Sequence, residues 1–172
     1  SSDLGACGNG SAMRVAPIGW FFDSLEETLS VAKTSAECTH NHPEGIKGAQ
    51  AVAHAIFLAR NNVSISGIKD VISKEYGYDL SMSVNDLQEK YSWDGIAGLG
   101  KNGATCQGSV PQAITCALEA KNFEDAIRNA ISIGGDSDTI ACITGGIAEA
   151  LFGIPDDIAE RGISYLEEPL RK

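Results

Sequence analysis

The sequence predicts an all-α protein, and three observations carry that expectation. Apolar residues recur at helical spacing almost throughout, as in the i, i+3, i+7, i+8, i+11 stripe of Ile140, Ile143, Ile147, Ala148 and Leu151. Helix-start signals recur with them; Ser24-Leu25-Glu26-Glu27, for example, reads as a capping box. No segment alternates apolar and polar residues as a half-buried strand does, although Val15 to Phe22 is apolar enough to suggest one.

The elements follow in order. The helix opened by Ser24 runs to about Ala36. Asn41-His42-Pro43 supplies a cap and a first-turn proline for a second helix, whose stripe is Ile46, Ala49, Ala53, Ile56 and Phe57. A third carries Ile65, Ile68, Val71 and Ile72. Ser83 starts a short helix, with Asp86 three positions on and Leu87 on its apolar side. Tyr91 to Gly108, with Trp93 and glycines at 95, 98, 100, 103 and 108, has no sustained period and reads as a loop. Ser109 then caps a helix with Pro111 near its start. Asn122, with Asp125 three residues later, caps the next, through Ile127 and Ile131. The Ile140 helix closes at Gly153 with Pro155 just beyond, and a last helix from about Pro155 includes Ile158, Ile163 and Leu166.

Composition narrows the function. With 172 residues and 43% hydrophobic content, the chain reads as one domain with a real core. A formal charge of -10 and a pI near 4.6 argue against nucleic acid as a bulk partner, but leave room for a phosphate-bearing small ligand. No apolar run approaches a membrane span, and no basic-then-apolar signal segment opens the sequence. Five cysteines without a CxxC pair fit reduced thiols and a cytoplasmic location. Cys116 and Cys142 fall among apolar helical positions and are expected in the core.

The most informative string is Gly134-Gly135-Asp136-Ser137-Asp138-Thr139. It sets two carboxylates and a hydroxyl at the mouth of a helix, behind glycines that allow a sharp turn. Capping alone accounts for a single Asp in such a place. A pair of Asp residues also suits a hard divalent cation such as magnesium, which takes carboxylate, water and substrate oxygens. An EF-hand is excluded, because the positions that need Gly and Glu hold Ala141 and Ile147. A second polar turn, Gly8-Asn9-Gly10-Ser11-Ala12-Met13-Arg14, could bring main-chain N–H groups to an anion or sugar, though Gly-Asn-Gly is first of all a turn. A third patch, Thr39-His40-Asn41-His42-Pro43-Glu44, lacks the partners of a zinc site. His54 reads as structural.

Taken in this order, the strings from Gly8 to Val15, Thr39-His40 with Pro43-Glu44, Ser109-Val110-Pro111-Gln112-Ala113, Gly134 to Ala141, and Gly145-Gly146-Ile147-Ala148 resemble the ADP-ribosylglycohydrolase family. The resemblance runs over essentially the whole chain. It implies an all-α orthogonal helix bundle, with residues 1–172 forming one domain that is the C-terminal part of the family fold. It implies a centre of two magnesium ions, with manganese as the alternative. There the glycosidic bond between ADP-ribose and a modified protein side chain or small acceptor is hydrolysed. By the resemblance, Asp136, Asp138 and Thr139 are metal ligands, and the two aspartates are catalytic. Gly8, Asn9, Gly10, Ser11 and His40 contact ADP-ribose. Two departures stand out. The family's Thr-Asp-Asp-Thr-type motif is absent, so the N-terminal half of the metal site is not found, and Cys7 stands where the family often has an aromatic. The expected partners are therefore ADP-ribose or an ADP-ribosylated protein, and either a further N-terminal segment or a second copy that covers the exposed core. The alternative is a truncated, non-catalytic relative that binds ADP-ribose or serves an interaction role. Neither reading involves nucleic acid or a membrane.

Overall fold

A computed structural model describes residues 7–96 and 102–170. Among them lie ten α-helices and one two-stranded hairpin, so the all-α expectation holds. Gly98 and Gly100 of the expected loop lie outside the described residues.

The helices start where side chains can satisfy their first N–H groups. Ser24 accepts from the Glu27 N–H and opens α3 (Leu25–Glu37). His42, through Nδ1, accepts from the Glu44 N–H and opens α4 (Pro43–Arg60). Ser64 caps α5 (Ile65–Tyr76), which ends on left-handed Gly77. Ser83 and Asp86 cap each other reciprocally at α6 (Val84–Lys90). Asn122 caps α8 (Phe123–Ser132), and α9 (Ser137–Phe152) stops at Gly153 as expected. Helix α10 (Asp156–Ser164) and a 3-10 turn (Glu168–Leu170) close the described chain.

Three expectations are corrected, and the segment whose patterning left the all-α reading open proves helical. The apolar stretch after Val15 is the short helix α2 (Ala16–Phe21), next to the four-residue α1 (Gly10–Met13). The expected loop contains a hairpin, β1 (Tyr91–Ser92) paired with β2 (Gly95–Ile96). Helix α7 (Cys106–Leu118) begins earlier than Ser109, because Thr105 takes the cap by accepting from the Gly108 N–H. Pro111 therefore stands inside the helix. The carbonyl that its missing N–H leaves without a partner belongs to Gln107, and Gln107 is the one residue of α7 that is not buried. Cys142 is exposed, since it points off the Ile140–Ile143–Ile147 stripe; Cys116 is buried as expected.

Helix α4 runs through the middle, packed on α1, α2, α3, α5, α7 and α9. Its small residues let neighbours come close: a Cβ on Gly48 would stand 2.5 Å from the Cys106 sulfur. The core is built from Val52, Ile56, Ile68, Ile72, Val110, Ile114, Ile140, Ile143 and Ile147, all at most 2% exposed. His54 is buried among them and hydrogen-bonds the Tyr76 hydroxyl at 3.0 Å. No helix of the described residues is long and apolar enough to cross a membrane.

Candidate functional site

Three segments far apart in sequence meet at the start of α9. Gly8 pairs with Thr105 in an antiparallel bridge, the Asn9 N–H donates to the Ala104 carbonyl at 3.2 Å, and the Cys106 N–H donates to Cys7 at 3.0 Å. This pairing holds Asn9, which is 8% exposed, against the turn before α7. Its Nδ2 then uses both hydrogens, donating to Asp136 Oδ2 at 2.7 Å and to the Gly103 carbonyl at 3.3 Å. The shorter bond lies in the range of a charge-assisted contact.

Asp136 occupies the N-cap position of α9, yet its side chain caps nothing. Gly134 and Gly135 precede it with φ of 73° and 68°, a left-handed pair that carries the chain sharply into the helix. The turn carries the Asp136 carboxylate to Asn9 instead of its own helix N–H groups. Gly135 is also sterically required: a Cβ there would stand 2.3 Å from Tyr91 Cε1.

Tyr91 is the residue that sequence reasoning missed. It is 6% exposed at the start of the hairpin, its ring against Gly135 and its hydroxyl facing Gly103. That hydroxyl makes no well-formed hydrogen bond among the described residues. Burial pushes its pKa up to about 12; the Asp136 charge adds to the rise and the Asp136 backbone N–H opposes it. Tyr91 thus supports the Asp136 turn from the core side.

Thr139 is buried on the same turn of α9, its hydroxyl 3.5 Å from the Met13 sulfur, while Asp138 is exposed. Met13 also accepts from Cys142 Sγ at 3.5 Å through its carbonyl, so α1 and α9 are held together beside the aspartates. His40 covers the other side of the loop. A Cβ on Gly10 would meet its imidazole at 3.2 Å. Its Nδ1 is 2.8 Å from Thr39 Oγ1, which also takes a bond from Arg14 at 2.7 Å. Burial first, and then the Arg14 charge, lower the His40 pKa, so the ring is neutral at pH 7.

The structure therefore brings Gly8, Asn9, Gly10, His40, Asp136 and Thr139 to one place, with Asp138 on the exposed side of the same turn. Ser11 is turned inward. Its hydroxyl donates to the Gly45 carbonyl at 2.8 Å and the residue is 1% exposed, which leaves only its backbone for any ligand. The oxygen donors of Asp136, Asp138 and Thr139 suit a hard cation. They are few: among the described residues no group of three His, Cys, Asp or Glu side chains could hold a metal ion.

The sequence matches the ADP-ribosylglycohydrolase family over residues 1–171, and the chain belongs to that family. An uncharacterized protein of Archaeoglobus fulgidus is 34% identical over 171 residues, covering 92% of this chain and 55% of its own length. Human ADP-ribosylhydrolase ARH3 is 30% identical, covering 91% of this chain and 53% of its own length. ADP-ribosylarginine hydrolase Tri1 of Pseudomonas putida is 27% identical, covering 88% and 40%. The solved structure of an ADP-ribosylglycohydrolase-related protein complex shares the fold, with a TM-score of 0.70 at 24% identity over 96% of this chain and 56% of that one. The chain spans about half the length of the curated relatives it matches.

Proposed function

We propose that this chain carries the Asp136–Asn9 half of an ADP-ribosyl glycohydrolase site, which hydrolyses the bond between ADP-ribose and a protein side chain or small acceptor. The observation that carries the reading is the 2.7 Å bond from Asn9 to Asp136, which withdraws a helix-cap carboxylate from its own helix and aims it at the glycine loop. In this reading Gly8, Asn9 and Gly10 let backbone approach the diphosphate-ribose, with the neutral His40 ring bracing Gly10. Asp136 and Asp138 orient the attacking water and offset the positive charge that develops at the anomeric carbon. Asp136, Asp138 and Thr139 would hold magnesium or manganese, which when bound polarises the ribose hydroxyls and lowers the pKa of water. The remaining ligands come from further polypeptide or from a second chain.

A second reading is favoured by the small donor set. In it the chain binds ADP-ribose without turning it over. Calorimetric titration with ADP-ribose, with and without magnesium, is run beside an assay for ADP-ribose release from arginine- and serine-modified peptides. Release that chelator abolishes supports the hydrolase. Binding without release supports the second reading, and the absence of both removes the site.

A further inference from the structure

Helices α3 and α5 both pack on α4 and leave a groove between them, about 580 Å3 in volume, which shares no residue with the Asn9–Asp136 site. Leu25 and Leu29 of α3, Leu58 of α4 and Val71 of α5 line it, each only partly buried. Among these aliphatic side chains stands His54 of α4, 5% exposed, and a polar ring so placed needs partners for both nitrogens. The Tyr76 hydroxyl donates its one hydrogen to the Gln50 carbonyl at 3.4 Å, so the 3.0 Å bond between that hydroxyl and the ring runs from His54 Nδ1–H to the tyrosine oxygen. Burial keeps the ring neutral at pH 7, against the opposing Glu75 charge. Nε2 is thereby a lone-pair acceptor. It has no hydrogen-bond partner among the described residues, yet it is not closed off from water. The rest of the lining is of the same kind. Gln50 donates through Nε2 to the Leu29 carbonyl at 3.0 Å and keeps Oε1 as an acceptor, and Glu75 contributes an exposed carboxylate. No Lys or Arg is among the lining residues. A molecule seated here has to bring donors, and the formal charge of -10 on the chain favours a cation over an anion.

We propose that this groove binds a primary alkylammonium ion, its chain against the four aliphatic side chains and its N–H groups donated to His54 Nε2 and the Glu75 carboxylate. Burial of the chain drives association, and the acceptors select the head. Glu75 stays exposed, so the ammonium charge keeps part of its hydration while one N–H reaches the ring. An ordered water is the competing occupant, and it would satisfy Nε2 without any ligand.

The test titrates n-hexylammonium into the whole chain while methyl, ring and amide chemical shifts are followed. Methylammonium, 1-hexanol, hexanoate and N,N,N-trimethylhexylammonium serve as controls. Support consists of saturable shifts at His54, Leu29 and Val71 whose affinity falls about fivefold when the head is fully methylated, the usual worth of a hydrogen bond. It should fall about threefold in Glu75→Gln, the usual worth of an exposed ion pair. Glu75 is exposed, so that variant should fold as the parent does, and Leu29→Ala, which trims the apolar wall, should weaken binding independently by about threefold. Absence of saturable binding leaves water as the occupant and overturns the proposal. Methylammonium binding as tightly as n-hexylammonium would reduce the effect to surface charge, and 1-hexanol or hexanoate binding as tightly would assign the groove to a neutral or acidic apolar partner. Either result overturns it, as does affinity unchanged by methylation of the head or by Glu75→Gln.

Discussion

Two helix starts in this molecule carry carboxylates and use them oppositely. At α6, Asp86 turns back on Ser83, accepting from its backbone N–H at 3.0 Å and its hydroxyl at 2.7 Å. The Ser83 hydroxyl first, then its N–H and Lys90, hold the Asp86 pKa down to about 2. At α9, Asp136 leaves its helix uncapped and reaches across the fold to Asn9. A carboxylate closed on its own backbone has a local, structural task. One withdrawn from its helix, at the cost of an uncapped terminus, has been placed for something else.

The comparison can be broken by substitution, and the largest expected effect is steric. Gly135→Ala should destabilise the chain by roughly 3 kcal/mol or more, from a left-handed φ together with a collision against Tyr91, whereas Gly134→Ala, which faces open space, should cost only about 1 kcal/mol. Urea unfolding of the two variants measures the difference, and equal losses would contradict the packed-turn account. Next, Asp136→Ala should abolish ADP-ribose binding in calorimetry and cost about 1–2 kcal/mol of stability, because one hydrogen of the buried Asn9 amide loses its acceptor. Ser83→Ala should cost about 1 kcal/mol and leave ADP-ribose binding untouched, the signature of a cap with no further role.

A smaller effect comes from His54, whose pKa is lowered from 6.5 by burial, with the Glu75 charge opposing. The unfolded chain binds this proton more readily than the folded one. The contribution is therefore fully present above pH 6.5 and declines as pH falls below it toward the lowered folded value. His54→Gln should flatten that stretch of a melting-temperature profile, whereas the Asp86 contribution is fully present above pH 3.8 and is lost as pH falls from there toward about 2. The smallest effect is a labelling pattern. Exposed Cys38 and Cys142 should react with a maleimide well before Cys106 and Cys116, whose thiols are buried and pushed up to about 11 and 12.

Most of the helix starts were legible because a cap is a local device: Ser24, Ser83 and Asn122 each act within three residues of themselves. The cluster at Asp136 was legible for the same reason, since its glycines and oxygens are consecutive. What the sequence hid depends on distant neighbours. Tyr91 has no motif, and only the clearance over Gly135 and Gly103 reveals its part. Ser11 sits in a polar string that reads as ligand-facing, and it turns inward because the Gly45 carbonyl of α4 waits there. Pro111 suggested a helix start, and only Thr105 at the cap and a tolerated gap at Gln107 explain its interior position.

Asn9 and Asp136 are separated by 127 positions along the chain. A contact between such remote partners forms only after the long intervening segment has been drawn together, so it belongs among the late events of folding. The Asn9–Asp136 site is accordingly a property of the finished tertiary structure. Local unravelling at the front of α9 would erase it while every other helix stayed intact.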